Sequence, residues 1–281
     1  MNKIAAAGLI LLCPIIYLLN PGRLARAEEA NPIRVGIIRC DTHGMYFGPL
    51  LGKHDPWKLR DPLKFTPGPQ RYTWQSGASH YSFYSHYYQQ DKMTVPFVEG
   101  FEVVKVWDEF PDAAECAANV FLLKPQVCKT FEEVSDGVDL VIIGDANFDG
   151  SDHLKLAAPG LAKGIPTFVD KPFAATYRDA KAMVDLARKH NTPVLSLSIL
   201  RALPEAELMI NRYAEIAPVQ FGVIRGGWKT LAAQIHSLSL AQLLFGAGVE
   251  EEMLELIAIV DAARVSQKEK RPVRLKEITG E

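Results

Sequence analysis

The chain has 281 residues, of which 48% are hydrophobic and 23% charged, with a formal net charge of −2 at pH 7. This composition is typical of globular proteins and excludes a largely disordered chain. Basic residues do not outnumber acidic ones, so the composition does not indicate nucleic acid or an anionic membrane as a partner. The length suffices for one large domain or two smaller ones.

The first 27 residues have the pattern of a secretory signal peptide. Lys3 precedes an apolar run over Ile4–Leu19, and Ala25-Arg26-Ala27 is an A-x-A cleavage site. The alternative is a retained anchor, but the run is shorter than the roughly 20 apolar residues that a membrane span needs. We therefore expect cleavage after Ala27 and an exported, periplasmic or extracellular protein with a net charge of −5.

Short apolar runs alternate with helical segments from residue 28 to residue 204. Five strands are predicted, and the strands and the helices between them alternate in the βαβ pattern of a doubly wound parallel sheet. We therefore predict a Rossmann-type α/β nucleotide-binding domain over residues 28–204. The predicted strands are Ile33–Ile38, Phe101–Asp108, Val138–Ile143, Thr167–Val169 and Pro193–Ile199.

Residues 45–97 interrupt this alternation with six prolines and an aromatic cluster, His80–Tyr88. A segment this aromatic is not a disordered linker. We predict an ordered insertion, which either closes over a ligand or packs on an exposed edge of the sheet.

Residues 205–281 are predicted to form a second, smaller α/β region. With a single firm strand, Val219–Arg225, this region cannot build a large sheet by itself. The remaining predicted elements are the helices Glu205–Glu215, Leu231–Phe245 and Glu250–Val265 and the tail Pro272–Leu275.

Three cysteines, Cys40, Cys116 and Cys128, follow the predicted signal peptide. In an oxidising compartment Cys116 and Cys128 could form a disulfide, but buried thiols are an equally good interpretation. The seven histidines lack metal-ligand spacing and there is no C-x-x-C, so no metal site is predicted.

The first strand ends in the sequence GIIRCDTHG, where a doubly wound sheet binds the phosphates of a dinucleotide. The usual G-x-G-x-x-G becomes Arg39-Cys40-Asp41-Thr42-His43-Gly44, so Gly44 alone matches. We predict that Arg39, Asp41, Thr42 and Gly44 form the phosphate turn.

Asp41 introduces a negative charge there, and two unit charges 4 Å apart repel by about 1 kcal/mol in water and about 4 kcal/mol at an effective dielectric of 20. Asp41 or Thr42 could instead cap the following helix, while Arg39 could attract a phosphate. Asp108 ends the second strand where a ribose-binding carboxylate belongs, although a helix cap or a surface acid is a competing interpretation.

The segment Gly164–Phe173 contains Asp170-Lys171-Pro172 and is followed by a capped helix, by Asn191–Val194 and by Arg201–Pro204. This order resembles the central signature of the Gfo/Idh/MocA oxidoreductases, which include glucose-fructose oxidoreductase and inositol dehydrogenase and in which the motif is Glu-Lys-Pro. His153 is similar to a recurrent histidine of that family, and residues 261–275 resemble its closing helix and strand. The resemblance covers residues 33–44 and 101–275.

The resemblance implies a cofactor, NAD or NADP, and a sugar or polyol substrate. It places Asp170, Lys171 and Pro172 at the cofactor, with Lys171 between nicotinamide and substrate. His236 matches the family's general acid/base histidine, although Ala232 stands where members commonly have an aspartate partner. Arg201 is predicted to bind an anionic substrate group or to pair with Glu205. The family's large open sheet, which carries oligomer contacts, is mostly missing.

Two functions of different class follow from these observations. One is an exported NAD(P)-dependent oxidoreductase; the other is a non-catalytic binding protein that kept the fold and lost the cofactor. In the binding protein, Trp74, Tyr84 and Tyr87 would stack on a carbohydrate. A third possibility, an inactive remnant of an enzyme, is supported by the same loss of glycines from the phosphate-binding fingerprint.

Overall fold

The computed structural model of the protein describes residues 31–40, 43–60, 98–144, 149–215, 234–245 and 249–280. The described residues from Ile33 onward belong to one compact unit. The predicted signal peptide, most of the predicted insertion and the predicted strand 219–225 lie outside the described residues. Six residues named above also lie outside the described residues: Asp41, Thr42, Trp74, Tyr84, Tyr87 and Ala232.

A six-stranded parallel sheet forms the centre of the fold, in the order β3-β2-β1-β4-β5-β6. The order changes direction beside β1, which pairs with both β2 and β4, so Ile38 lies opposite Trp107 on one side and Ile143 on the other. This confirms the predicted Rossmann-type fold and places its ligand site at the carboxyl ends of β1 and β4. The strands are β1 (Ile33–Ile38), β2 (Phe101–Trp107), β3 (Gln126–Val127), β4 (Leu140–Ile143), β5 (Thr167–Val169) and β6 (Val194–Leu195).

Helices connect the strands and cover both faces of the sheet. Thr176 caps the helix after β5 as predicted, because its hydroxyl oxygen accepts a hydrogen bond from the Asp179 amide at 3.2 Å. The helices are α1 (Gly44–Leu51), α2 (Pro56–Arg60), α3 (Pro111–Val120), α4 (His153–Ala162), α5 (Tyr177–Lys189), α6 (Pro204–Asn211), α7 (Ile235–Phe245), α8 (Val249–Glu269) and α9 (Leu275–Thr279).

Alternate residues of the central strands supply two hydrophobic cores, because successive side chains of a strand point to opposite faces. Val141 and Ile143 pack with α4, α5 and α8 on one face, whereas Ile142 packs with residues of α1 and α3 on the other. Burial on both faces explains why β1 and β4 are nearly continuous apolar runs.

The predicted insertion begins later than residue 45. Gly44–Leu51 is the first crossover helix of the fold, even though it contains Pro49. The proline pattern was misleading because Met45, Gly48 and Pro49 are buried against the sheet, and this packing outweighs the low helix propensity of proline.

Two strand predictions also need correction. The fifth predicted strand pairs only over Val194–Leu195, and residues 199–202 form a 3₁₀ turn instead. The sequence analysis missed β3, whose two residues are too short to show a periodicity.

The C-terminal helices pack on the nucleotide-binding fold. Met253, Ile257 and Val260 of α8 belong to the same core as Val141. The tail predicted as a strand continues into helix α9, because the Glu277 carboxylate accepts the Arg274 amide at 2.8 Å and caps the helix N-terminus. The predicted domain boundary at residue 204 stays a prediction.

Cys40, Cys116 and Cys128 are buried, and the disulfide considered for Cys116 and Cys128 does not form. None of the described helices has the length and hydropathy of a bilayer span. Within the described residues, no group of three or more histidine, cysteine, aspartate or glutamate side chains is arranged to hold a metal ion.

Candidate active site

The phosphate turn is built around a close approach of two glycines. A Cβ atom on Gly144, just after β4, would collide with the backbone of Gly44, and one on Gly44 would collide with the carbonyl oxygen of Arg39. Gly44 therefore does what the last glycine of the fingerprint does, which is to let the first helix pack closely on the sheet.

The N-terminus of α1 retains free hydrogen-bond donors. His43 precedes the helix and makes no side-chain cap. Among the described residues, the amides of Gly44 and Met45 find no acceptor. Unpaired amides at this position are what a dinucleotide pyrophosphate requires, so the turn fits the cofactor that the fold predicts.

Gly144→Ala is expected to lower the free energy of unfolding by about 1–3 kcal/mol, because the new methyl group overpacks a rigid backbone contact. It is also expected to weaken NAD(P) binding, since α1 must move away from the turn. Urea unfolding and cofactor titration measure the two effects. Gly160→Ala in α4 is the control, because its Cβ would approach nothing more closely than the Thr167 hydroxyl at 3.1 Å. Equal stability losses in both variants would contradict this account of the turn.

Arg39 occupies the first glycine position of the fingerprint, with a left-handed φ of 70°. Its guanidinium is buried and bonds Asp152 and, at 2.8 Å, Glu109, and it lies 6.0 Å from the Trp107 ring. Burial lowers the pKa of Arg39, but the bonds to Asp152 and Glu109 outweigh this and raise it above its ordinary value. The positive charge is thus already compensated by two carboxylates, which reduces its pull on a phosphate.

Asp108 is 3% exposed, and both of its carboxylate oxygens accept backbone hydrogen bonds. One accepts the Cys40 amide at 2.7 Å and the other the Phe110 amide at 3.0 Å. Asp108 therefore ties the end of β2 to the phosphate turn, and a ribose hydroxyl would have to share these oxygens. The neighbouring Glu109, with 56% of its side chain exposed, is the more accessible carboxylate.

The Asp-Lys-Pro turn follows β5 at the same edge of the sheet. The Asp170 amide donates to the Ile143 carbonyl oxygen at 2.9 Å, and the Lys171–Pro172 peptide bond is cis. Beneath the turn, the fully buried His153 donates from Nδ1 to the carbonyl oxygen of Pro172 at 3.0 Å. His153 thus supports the backbone of the motif from below.

His153→Ala is expected to cost about 2–4 kcal/mol of unfolding free energy, because it leaves a cavity and an unsatisfied backbone carbonyl. The loss is measured by thermal or urea unfolding. His190→Ala, at an exposed position, is the matched control, and a His153→Ala variant as stable as the control would refute the supporting role.

Lys171 is half-buried, and its ammonium makes no hydrogen bond or ion pair with any residue that the structure describes. It lines a cavity of about 20 Å³, enough for one water molecule. Three serines, Ser196, Ser198 and Ser239, line this cavity with Lys171, and the rest of the lining is apolar. An unpaired ammonium at such a place is available to a substrate oxygen.

His236, on α7, lies near Lys171. Its Nδ1 is 2.7 Å from the Ser198 hydroxyl oxygen. Burial lowers the pKa of His236, and the electrostatic interactions with Lys171 and His43 lower it further against the opposing charge of Asp170. The histidine is therefore neutral near pH 7 and able to accept a proton. Sequence reasoning missed Ser198 as its partner, which comes from a distant loop rather than from position 232.

His43 is a site residue that sequence reasoning passed over. Its Nδ1 bonds the Asp170 carboxylate, and its ring stacks on Tyr46 with centroids 5.0 Å apart. Its place beside Gly44, inside the fingerprint, was the signal that could have identified it. The contact between His43 and Asp170 thus joins the phosphate turn to the Asp-Lys-Pro motif.

The structure brings Lys171, His236 and Asp170 together, but it places Arg201 differently. Arg201 donates to the Ser239 carbonyl oxygen and to Gln242, each at 3.3 Å, and so holds α7 against the preceding 3₁₀ turn. The predicted pairing with Glu205 does not form among the described residues, and the predicted contact with an anionic substrate group stays a prediction.

Comparison with known proteins agrees with this geometry. Residues 77–197, which include β2 to β6, match the sequence model of Gfo/Idh/MocA, described as an oxidoreductase family with an NAD-binding Rossmann fold. The cofactor predicted from the sequence is the one in that description.

An uncharacterized oxidoreductase of Streptococcus pneumoniae is 25% identical over 170 residues, which are 53% of this chain and 44% of the relative. The chain thus spans less than half the length of that curated relative.

A crystal structure classed as an oxidoreductase, from Magnetospirillum magnetotacticum, superposes with a TM-score of 0.51 and 16% identity over 77% of this chain and 58% of the other. Biliverdin reductase of Synechocystis, solved with biliverdin and NADP⁺, is similar with a TM-score of 0.47 and 16% identity over 77% and 59%. Over residues 77–197 this chain is thus similar to the Gfo/Idh/MocA oxidoreductases with an NAD-binding Rossmann fold.

Proposed function

We propose that the protein is an exported NAD(P)-dependent oxidoreductase that transfers a hydride between a carbinol carbon of a sugar or polyol and the nicotinamide. The observation that carries this proposal is the unpaired Lys171 ammonium beside the neutral His236. A dehydrogenase needs one group to stabilise an alkoxide and one to accept a proton, and this pair supplies both.

The cofactor, when bound, supplies the hydride acceptor. Lys171 holds its positive charge where the substrate oxygen loses its proton, in a partly buried site where a charge acts more strongly than in water. His236 takes that proton, and a hydrogen bond from Nδ1 to Ser198 leaves Nε2 as the basic nitrogen. In the reverse direction the same two groups deliver the proton to a carbonyl oxygen.

The serines beside Lys171 support a hydroxylated substrate, which would bind next to the small cavity rather than inside it. Ser196, Ser198 and Ser239 donate and accept hydrogen bonds, as the hydroxyls of a sugar do. The test is a panel of sugars and polyols incubated with NAD or NADP, with formation of reduced nicotinamide as the readout. Turnover of at least one member supports the proposal, and no turnover of any member by protein that binds the cofactor would exclude the substrate class.

Export is proposed from the signal-peptide pattern. Expression of the full chain in a bacterium, followed by N-terminal sequencing of the extracytoplasmic fraction, is expected to give a protein that begins at Glu28. Free dinucleotide is scarce outside the cytoplasm, so an exported enzyme must retain its cofactor tightly. A full-length protein found only in the cytoplasm would contradict export without affecting the chemistry.

The ion pairs of Arg39 favour a second candidate, a binding protein that kept the fold and lost the cofactor. The Arg39 guanidinium stands at the first glycine position, and Asp152 and Glu109 already satisfy it. A carbohydrate that binds while NAD and NADP do not would support this candidate. The two functions differ in one measurable property, the affinity for the dinucleotide.

A further inference from the structure

We propose that His43 is a positioning residue for Lys171. By binding the Asp170 carboxylate, His43 keeps that carboxylate from pairing with the Lys171 ammonium, which stays available to the substrate. The inference rests on the role proposed for Lys171, and it assigns a function to a residue of the phosphate turn.

The contact between His43 and Asp170 is shielded from solvent. The Asp170 side chain is 4% exposed and the His43 side chain 17%. The stacking on Tyr46 fixes the plane of the imidazole, so Nδ1 keeps its direction toward the carboxylate. A contact that is buried and fixed on both sides is a stable part of the site.

Asp170 is the charged partner in this contact. Burial raises the pKa of Asp170, but the hydrogen bond from His43 and the electrostatic interactions with His43 and Lys171 outweigh burial and lower it below its ordinary value. Since a carboxylate only accepts hydrogen bonds, His43 donates from Nδ1. The backbone amide of Lys171 also donates to Asp170, so this carboxylate holds the start of the Lys-Pro turn.

Lys171 is the cation that Asp170 would take if His43 were absent. The charge of Lys171 already acts on Asp170, yet the two side chains form no ion pair in the described structure. Without His43 this buried carboxylate would keep the Lys171 amide but lose the His43 hydrogen bond, and a buried carboxylate that loses a hydrogen bond favours a new cationic partner. His236 also lies within reach of these charges, but it is neutral and offers no compensating charge.

The reactivity of Lys171 tests the proposal without any substrate. The full chain, free of cofactor, is acetylated with a limiting N-hydroxysuccinimide ester, and the rate at Lys171 is measured by mass spectrometry relative to the exposed Lys189. Only a neutral amine reacts, so pairing with Asp170 slows the labelling. His43→Ala is expected to slow it by about tenfold, whereas His43→Asn, whose amide stands at the position of Nδ1, keeps the native rate within about twofold.

His54→Ala is the matched control, since His54 also bonds through Nδ1, to the Gly52 carbonyl oxygen at 3.0 Å, but lies outside the site. If His43→Ala does not fold, His43→Gln replaces it. The glutamine amide reaches the position of Nε2 rather than that of Nδ1, so this variant also loses the hydrogen bond to Asp170. Native labelling in His43→Ala or His43→Gln, or equal slowing in His43→Asn, would overturn the proposal. If the protein bound no NAD(P), the proposed function would be wrong, but the labelling rates of Lys171 would be unaffected because they are measured without cofactor.

Discussion

Lys171→Ala is expected to lower kcat by roughly 10²–10³-fold while the Kd for NAD(P) stays within about twofold of the native value. The reason is that the ammonium acts on the oxygen that becomes negative in the transition state, whereas the phosphate turn that binds the cofactor lies at β1. Steady-state kinetics on the best substrate of the panel and cofactor titration measure the two quantities.

Lys189→Ala, at the exposed end of α5, is the control for the loss of a lysine charge. If Lys171→Ala weakened cofactor binding and turnover by the same factor, Lys171 would be a cofactor ligand rather than a catalytic group.

His236→Asn is expected to lower kcat for alcohol oxidation by about 10²–10⁴-fold, since it removes the proton acceptor but keeps a polar side chain beside Ser198. The pH dependence gives a second readout. Burial and the charge of Lys171 lower the pKa of His236 from its ordinary value of 6.5. The protonated, inactive form therefore appears only below pH 6.5, and oxidation falls on the acid side of that value.

The same shift links His236 to stability. The unfolded chain binds a proton on this histidine more readily than the native protein, so native stability falls as the pH drops through 6.5. His236→Asn removes this contribution and flattens the profile between neutral and mildly acidic pH. An acid limb of kcat/KM lying above pH 6.5, or one unchanged in the variant, would exclude His236 as the base.

The central strands were predictable because burial on both faces makes β1, β4 and β5 apolar and β-branched. The Asp-Lys-Pro motif was recognised by its resemblance to a family signature, which is possible because its residues are contiguous and directly follow a strand. A helix after β1 was expected, but most of α1 was assigned to the insertion because its stability comes from packing against the sheet, which overrides the local effect of Pro49.

The contacts of the site could not be predicted in the same way. Ser198 and His236 are 38 residues apart, and His43 and Asp170 are 127 apart. Their side chains meet only because parallel strands bring their carboxyl ends to one edge. Asp108 was predicted at the right edge, but its orientation depends on backbone amides whose directions no sequence pattern reveals.

The proposed oxidoreductase must bind its cofactor at a phosphate turn that has one of the three fingerprint glycines. Dinucleotide affinity is therefore the most direct test of the proposed function. The mature protein is purified, denatured and analysed for released NAD(P), and the cofactor-free protein is then titrated with each dinucleotide. We predict released nucleotide or saturable binding well below about 1 mM. No released nucleotide together with no saturable binding at that concentration would contradict the oxidoreductase and favour the binding protein.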